Sequence, residues 1–153
     1  MNPSETIQIR RFEQRDVDCV VELCQLHAGF EQSHVGVRFC RQDLERLFLS
    51  DATGWFCLVV EEQSKVSGYA TYGKQISTWN SSHYLYLDCL YLNESIRGKG
   101  IGARVMKFIG QEATRLECSH VEWQTPDFNK AAIGFYEGLG ATGKPKVRFT
   151  WRL

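Results

Sequence analysis

Residues 83–92, HYLYLDCLYL, are nearly continuous apolar and aromatic sequence. A membrane span needs about 20 such residues, so this run reads instead as a strand covered on both faces. It predicts the centre of a sheet. Directly after it comes Ser95 to Met106, "SIRGKGIGARVM", with glycines at alternate positions flanked by Arg97, Lys99 and Arg104. Ile101, Val105, Phe108, Ile109 and Leu116 then form a stripe at helical spacing, opposite Arg104, Lys107, Gln111 and Arg115. His120 to Thr125 is the next strand. With a helix crossing over between them, it must run parallel to the His83–Leu92 strand.

The rest of the chain supplies neighbours for this unit. Thr6 to Phe12 alternates like a strand, and Arg15-Asp16 opens a helix carrying Val17, Val20, Val21, Cys24 and His27, with Gly29 near its end. A second amphipathic segment covers Arg41 to Leu49, and Asp51 to Gly54 turns the chain. Trp55 to Glu61 and Val66 to Gln75 read as strands joined through Glu62 to Lys65, with a further turn at Thr78 to Ser82. Pro126 closes the later strand. Asn129 then caps a helix with Ala132, Phe135, Tyr136 and Leu139 on one face, which Gly140 stops. Lys146 to Arg152 reads as a last strand. The expected class is α/β with mixed α+β character: one mixed sheet, helices on both faces, and a single domain spanning 1–153.

Eighteen basic residues balance eighteen acidic ones, which argues against a general nucleic-acid or anionic-membrane binder and makes any anion site local. The N-terminus lacks a signal-like apolar core, and a cytoplasmic location is expected. Cysteines 19, 24, 40, 57, 89 and 118 show no metal-ligand spacing and read mostly as small buried residues, so no metal is expected.

A glycine-rich turn between a strand and a helix suits a phosphate. Glycines open backbone angles and allow close approach, and unpaired helix amides with the dipole favour an anion. A Walker loop is excluded by spacing and by the lack of a Lys-Ser/Thr pair. A dinucleotide fold is disfavoured because the turn comes late and runs G-x-G-x-G.

Arg97-Gly98-Lys99-Gly100-Ile101-Gly102 resembles the [Q/R]-x-x-G-x-[G/A] signature of the Gcn5-related N-acetyltransferase (GNAT) family. Phe135-Tyr136-Glu137-Gly138-Leu139-Gly140 matches its F-Y-x-x-x-G hallmark. Within the family the chain is most similar to the spermidine/spermine (diamine) acetyltransferase group, through Phe30-Glu31, Leu85-Tyr86-Leu87-Asp88, the glycine turn, Asn129 and the Phe-Tyr pair. It departs from that group at Cys89, where a second acid is usual.

The resemblance implies a twisted sheet of six to seven strands with about four helices, and transfer of an acetyl group from acetyl-CoA to a primary amine of a small molecule. The acceptor implied is of the polyamine or diamino-acid type, with an aminoglycoside or a peptide as the alternative; a non-catalytic acyl-CoA-binding domain is the third reading. It implies cofactor contacts from Leu90, Tyr91, Leu92, Arg97, Gly98, Lys99, Gly100, Ile101, Gly102, Asn129 and Tyr136. Tyr136 is the expected donor to the departing thiolate and Asp88 a group that helps remove the amine proton. Glu31, Asp88, Cys89 and Trp79 are the candidate acceptor contacts, with His34 and His83 as weaker candidates for a base. By resemblance alone, the protein is a homodimer.

Overall fold

Five strands pair in chain order, β1 (Ile7–Arg11), β2 (Trp55–Glu62), β3 (Lys65–Ser77), β4 (Ser82–Leu92) and β5 (Val121–Trp123). The computed structural model describes residues 7–32 and 40–153, which leaves His34 and Thr6 outside the described residues. The first four strands run antiparallel to their neighbours; β5 is parallel to β4, as the crossover requires. Helices α1 (Val17–Phe30) and α2 (Arg41–Phe48) cover one face, and α3 (Ile101–Arg115) covers the other. A fourth helix, α4, spans Lys130–Gly138 after β5.

The strand register explains why His83–Leu92 is apolar at both parities. Tyr72 pairs with Leu87 but Thr71 pairs with Cys89, so Asp88 is an extra residue, a bulge in β4. A bulge reverses the alternation of faces. Leu85 and Leu87 before it, and Leu90 and Leu92 after it, pack toward α3 with Leu58, Ala70 and Val105. Cys89 and Tyr91 pack toward α1 with Val20, Leu23 and Val59.

The structure differs from the sequence reading at three elements. Lys146–Arg152 forms no strand: Val147, Phe149, Trp151 and Leu153 are all highly exposed, and no backbone ladder joins the segment to the sheet. The sheet therefore has five strands among the described residues instead of six to seven. β5 is shorter than His120–Thr125 because its ladder with β4 stops at Leu87–Trp123. Cys40 is exposed and holds the start of α2 through Sγ to Asp43 at 3.3 Å, while Cys24 and Cys57 are buried as expected.

Two buried ion networks tie the edges to this frame. The Asp16 carboxylate, at the entrance to α1, accepts from Arg10 at 2.7 and 2.9 Å, and Arg10 Nε donates to Glu61 at 2.7 Å. Glu112 on α3 accepts from Arg11, Tyr72 and Arg115, each at 2.9 Å, joining β1, β3 and α3. Burial by itself would raise the Asp16 and Glu112 pKa values, but these donors outweigh it and hold both below the ordinary carboxylate range. A carboxyl whose folded pKa is depressed stabilises fully above its unfolded pKa of about 4 and loses that contribution as pH falls. Stability should therefore drop on acidification below about pH 4. At neutral pH, Asp16→Ala should remove about 3 kcal/mol by taking away two charge-assisted hydrogen bonds from Arg10, which keeps Glu61, seen as a lower urea midpoint. A loss below about 0.5 kcal/mol would show that the network carries no such weight.

Candidate active site

β4 and β5 part company at the bulge. Their ladder consists of Leu85–Val121, Tyr86–Glu122 and Leu87–Trp123, and beyond it β4 continues to Leu92 while β5 gives way to Gln124 and Thr125. A cavity of about 430 Å³ fills the gap. Leu90, Tyr91 and Leu92 line one wall, Trp123, Gln124 and Thr125 the other, and the glycine turn with Asn129 and Tyr136 closes the ends.

The turn is built as an amide cradle. Gly98 and Gly100 have φ of +71° and +75°, left-handed angles that residues with a Cβ adopt only with strain. A Cβ added at either meets nothing within 4 Å, so the space beside them is open. Gly100 is the N-cap of α3, whose first-turn N–H groups have no intrahelical acceptors. Gly102 is glycine for a different reason: a Cβ there would lie 2.9 Å from Cζ of Phe135. The glycine turn and the Phe-Tyr helix are thus one packed unit.

The loop cations have partners within the chain. Arg97 Nε donates to the Leu92 carbonyl at 2.7 Å, and its guanidinium lies over Phe30 and Tyr91 at 4.8 and 5.3 Å. This fixes the loop to the end of β4 and to α1. Lys99 is 3.9 Å from Glu62, outside the cavity lining, and Ile101 is buried in the core.

Asn129 Oδ1 accepts from Ala132 N–H at 3.2 Å and so caps α4 while lining the cavity. Tyr136, on that helix, packs against Trp123 with ring centroids 5.0 Å apart. Burial, and then the charge of Glu31, push its phenol up to about 12, so the hydroxyl keeps its proton throughout neutral pH.

Asp88 is exposed in the cleft, not buried within the sheet, because the bulge turns it out of the ladder. Among the described residues its side chain takes a long contact from Cys89 Sγ, 3.6 Å. Glu31 lies at the end of α1 and lines the same cavity. Cys89 lines a neighbouring cavity. Trp79 is 93% exposed and lines neither, and His83 is exposed with its carbonyl accepting from Ser119.

Sequence reasoning placed His27 on the inward face of a helix and missed its place in the site. The ring is buried, stacks on Tyr91 at 5.4 Å, and has Nε2 3.1 Å from Glu31 and Nδ1 2.9 Å from the Tyr69 hydroxyl. A carboxylate only accepts, so Nε2 donates to Glu31, and in the neutral ring Nδ1 is then the acceptor for Tyr69. Burial raises the Tyr69 pKa far above the ordinary phenol value, which keeps that proton in place. The four-residue spacing of His27 and Glu31 on a helix was the available signal.

Residues 20–141 match the model of the acetyltransferase (GNAT) family, most of the chain. The chain belongs to the GNAT acetyltransferase family. Thialysine N-epsilon-acetyltransferase of Bos taurus is 28% identical over 143 residues, covering 88% of this chain and 84% of the relative. The Mus musculus protein of the same name is 30% identical over 139 residues, covering 84% and 81%. An aminoglycoside acetyltransferase from an uncultured soil metagenomic sample, solved with sisomicin, shares the fold at a TM-score of 0.81 over 98% of each chain, with 18% identity. A GNAT acetyltransferase takes its acetyl group from acetyl-CoA, and the residues present fit that donor: an amide cradle for a diphosphate, then a slot along an unpaired strand edge for a narrow arm.

The Gly102–Phe135 contact generates a test. Gly102→Val should displace Phe135 and weaken acetyl-CoA binding at least about tenfold, because α4 carries both Asn129 and Tyr136 into the slot. Gly110→Ala, on an open stretch of the same helix, should leave binding unchanged and add about 0.5–1 kcal/mol of stability. Unimpaired binding by Gly102→Val in calorimetric titration would uncouple the two motifs.

Proposed function

We propose that this GNAT acetyltransferase acetylates a primary amine of a small molecule, in the polyamine and diamino-acid class, with Asp88 and Tyr136 handling the protons. The observation that carries this reading is that one cavity brings an exposed carboxylate on the β4 bulge together with a protonated phenol on α4. An alkylamine of pKa about 10.4 is only ~0.1% neutral at pH 7, so attack needs a proton acceptor. Asp88, directly or through a water, takes that proton, and Glu31 helps hold the ammonium beforehand. Acetyl-CoA supplies the activated acyl carbon. The amide cradle from Arg97 to Gly102 binds its diphosphate, and Leu90 to Leu92 and Asn129 line its arm. The backbone N–H near Leu90, on the strand edge that β5 leaves unpaired, is suited to stabilise charge on the thioester oxygen. Tyr136 gives its proton to the departing thiolate and is restored, through solvent, by the second proton that the nitrogen loses as the amide forms; a pKa of about 12 keeps it protonated between turnovers.

The reading extends to a cytoplasmic, single-domain homodimer. All six cysteines are free thiols, which suits a reducing compartment, and no helix among the described residues is long and apolar enough to cross a membrane. The alternating row Val147, Phe149, Trp151 and Leu153 lies exposed, and β5 has one edge unpaired; a second copy of the chain would cover both.

CoA thiol release and the mass of the acetylated product should be followed over spermidine, diamino acids, simple alkylamines, aminoglycosides and peptides. Turnover confined to the small amines supports the reading, and turnover only of aminoglycosides or peptides would replace it. Tyr136→Phe should lower kcat about 100-fold or more while leaving acetyl-CoA affinity within about threefold. Wild-type kcat should show no alkaline fall below about pH 11, since Tyr136 stays protonated there. Equal losses of turnover and affinity in Tyr136→Phe would make the tyrosine structural.

A further inference from the structure

Glu31 stands where its helix does not favour an acid. It is the C-cap of α1, where the partial negative charge of the last carbonyls opposes a carboxylate, and at Gln32 the backbone turns left-handed with φ of 53°. Helix end and carboxylate together make this spot attractive to a cation. Glu31 lines the active-site cavity with Asp88, and its charge reaches the Tyr136 phenol. A long side chain at a helix end has rotamer freedom to lose, and losing it on binding weakens the hold on a ligand.

His27 removes that freedom in advance. One turn back on α1, its carbonyl accepts from the Glu31 N–H at 3.0 Å, and its Nε2 lies 3.1 Å from Glu31 Oε1. The ring is itself held: it stacks on Tyr91, meets the Tyr69 ring edge-on with centroids 5.9 Å apart, and has Nδ1 2.9 Å from the Tyr69 hydroxyl. Strands β3 and β4 therefore aim the imidazole, and the imidazole aims the carboxylate. A lysine or arginine at position 27 would compete with a substrate ammonium for Glu31. A neutral imidazole N–H takes one lone pair and leaves the charge in place.

We propose that His27 is a positioning residue for the acceptor: through Nε2–H it holds the Glu31 carboxylate in the orientation that receives the substrate ammonium beside Asp88. The chain from Tyr69 through His27 to Glu31 carries the rigidity of the sheet to the mouth of the site. The inference rests on the small-amine acetyltransferase reading and adds how the ammonium is oriented.

Steady-state kinetics with spermidine and with L-ornithine, at saturating acetyl-CoA, test this with side chains of two lengths. An asparagine amide at position 27 ends at the depth of Nδ1, able to accept from Tyr69 but too short for Glu31; a glutamine amide reaches the depth of Nε2 and can donate to Glu31. His27→Asn should raise the KM for the amine at least tenfold with kcat changed less than threefold, and His27→Gln should bring KM to within threefold of wild type. In a Glu31→Gln background, His27→Asn should change KM less than twofold, because it acts only through the carboxylate. A KM rise of the same size in both backgrounds would overturn the proposal. So would a His27→Gln no better than His27→Asn, or parallel losses of kcat and acetyl-CoA affinity, which mark a structural role. If wild type acetylates neither amine, the small-amine reading fails and this inference with it; turnover with an additive cycle sinks the inference alone.

Discussion

The separation of β4 from β5 after Leu87 and Trp123 is the constraint on which the rest of the site depends. Two parallel strands that remained paired would bury their edges in a continuous ladder. Here the ladder lasts three residue pairs, and the Asp88 bulge coincides with its end. Three consequences follow from the one irregularity: an acid turned out into the cleft, an unpaired strand edge to accommodate a narrow ligand, and a reversal of faces that lets the last residues of β4 pack on both α1 and α3.

The gap needs walls that do not collapse into it. Arg97 bridges the glycine turn to the β4 end and to Phe30 of α1, and Phe135 sits on Gly102 so closely that a side chain there would have to displace it. Cation, aromatic and glycine thereby tie the turn to the end of β4, to α1 and to α4. The resulting slot is lined by backbone and apolar groups, with the polar chemistry concentrated where Glu31, Asp88, His27 and Tyr136 meet. That division suits a donor bound mainly by shape and amides, and an acceptor held by the charge of Glu31 and Asp88.

Much of this was legible in the letters. The order of elements, the parallel crossover, the phosphate-suited turn and the Asn129 cap follow from periodicity and from glycine and proline placement. The bulge was not legible, because period-two reading of HYLYLDCLYL registers apolar residues at both parities and attributes them to a doubly covered strand. Asp88 was named through the family resemblance, and its exposure follows from the bulge, which the letters do not show. Arg97 looked like a loop cation, since nothing local announces a stack on Phe30, distant in sequence. His27 was hidden by its helical spacing with core residues. Lys146–Arg152 has the alternation of a strand, but alternation specifies a face to bury, not the partner that buries it, and the chain offers that segment no ladder.

The central claim is that the slot between β4 and β5 is the acetyl-CoA site. Thermal unfolding with increasing acetyl-CoA tests it most directly, because a ligand at 100 times its dissociation constant adds about 2.7 kcal/mol to the folded state. The account predicts a midpoint that climbs with acetyl-CoA concentration, and a smaller climb at each concentration for Gly102→Val. A midpoint that stays constant up to millimolar acetyl-CoA would contradict it.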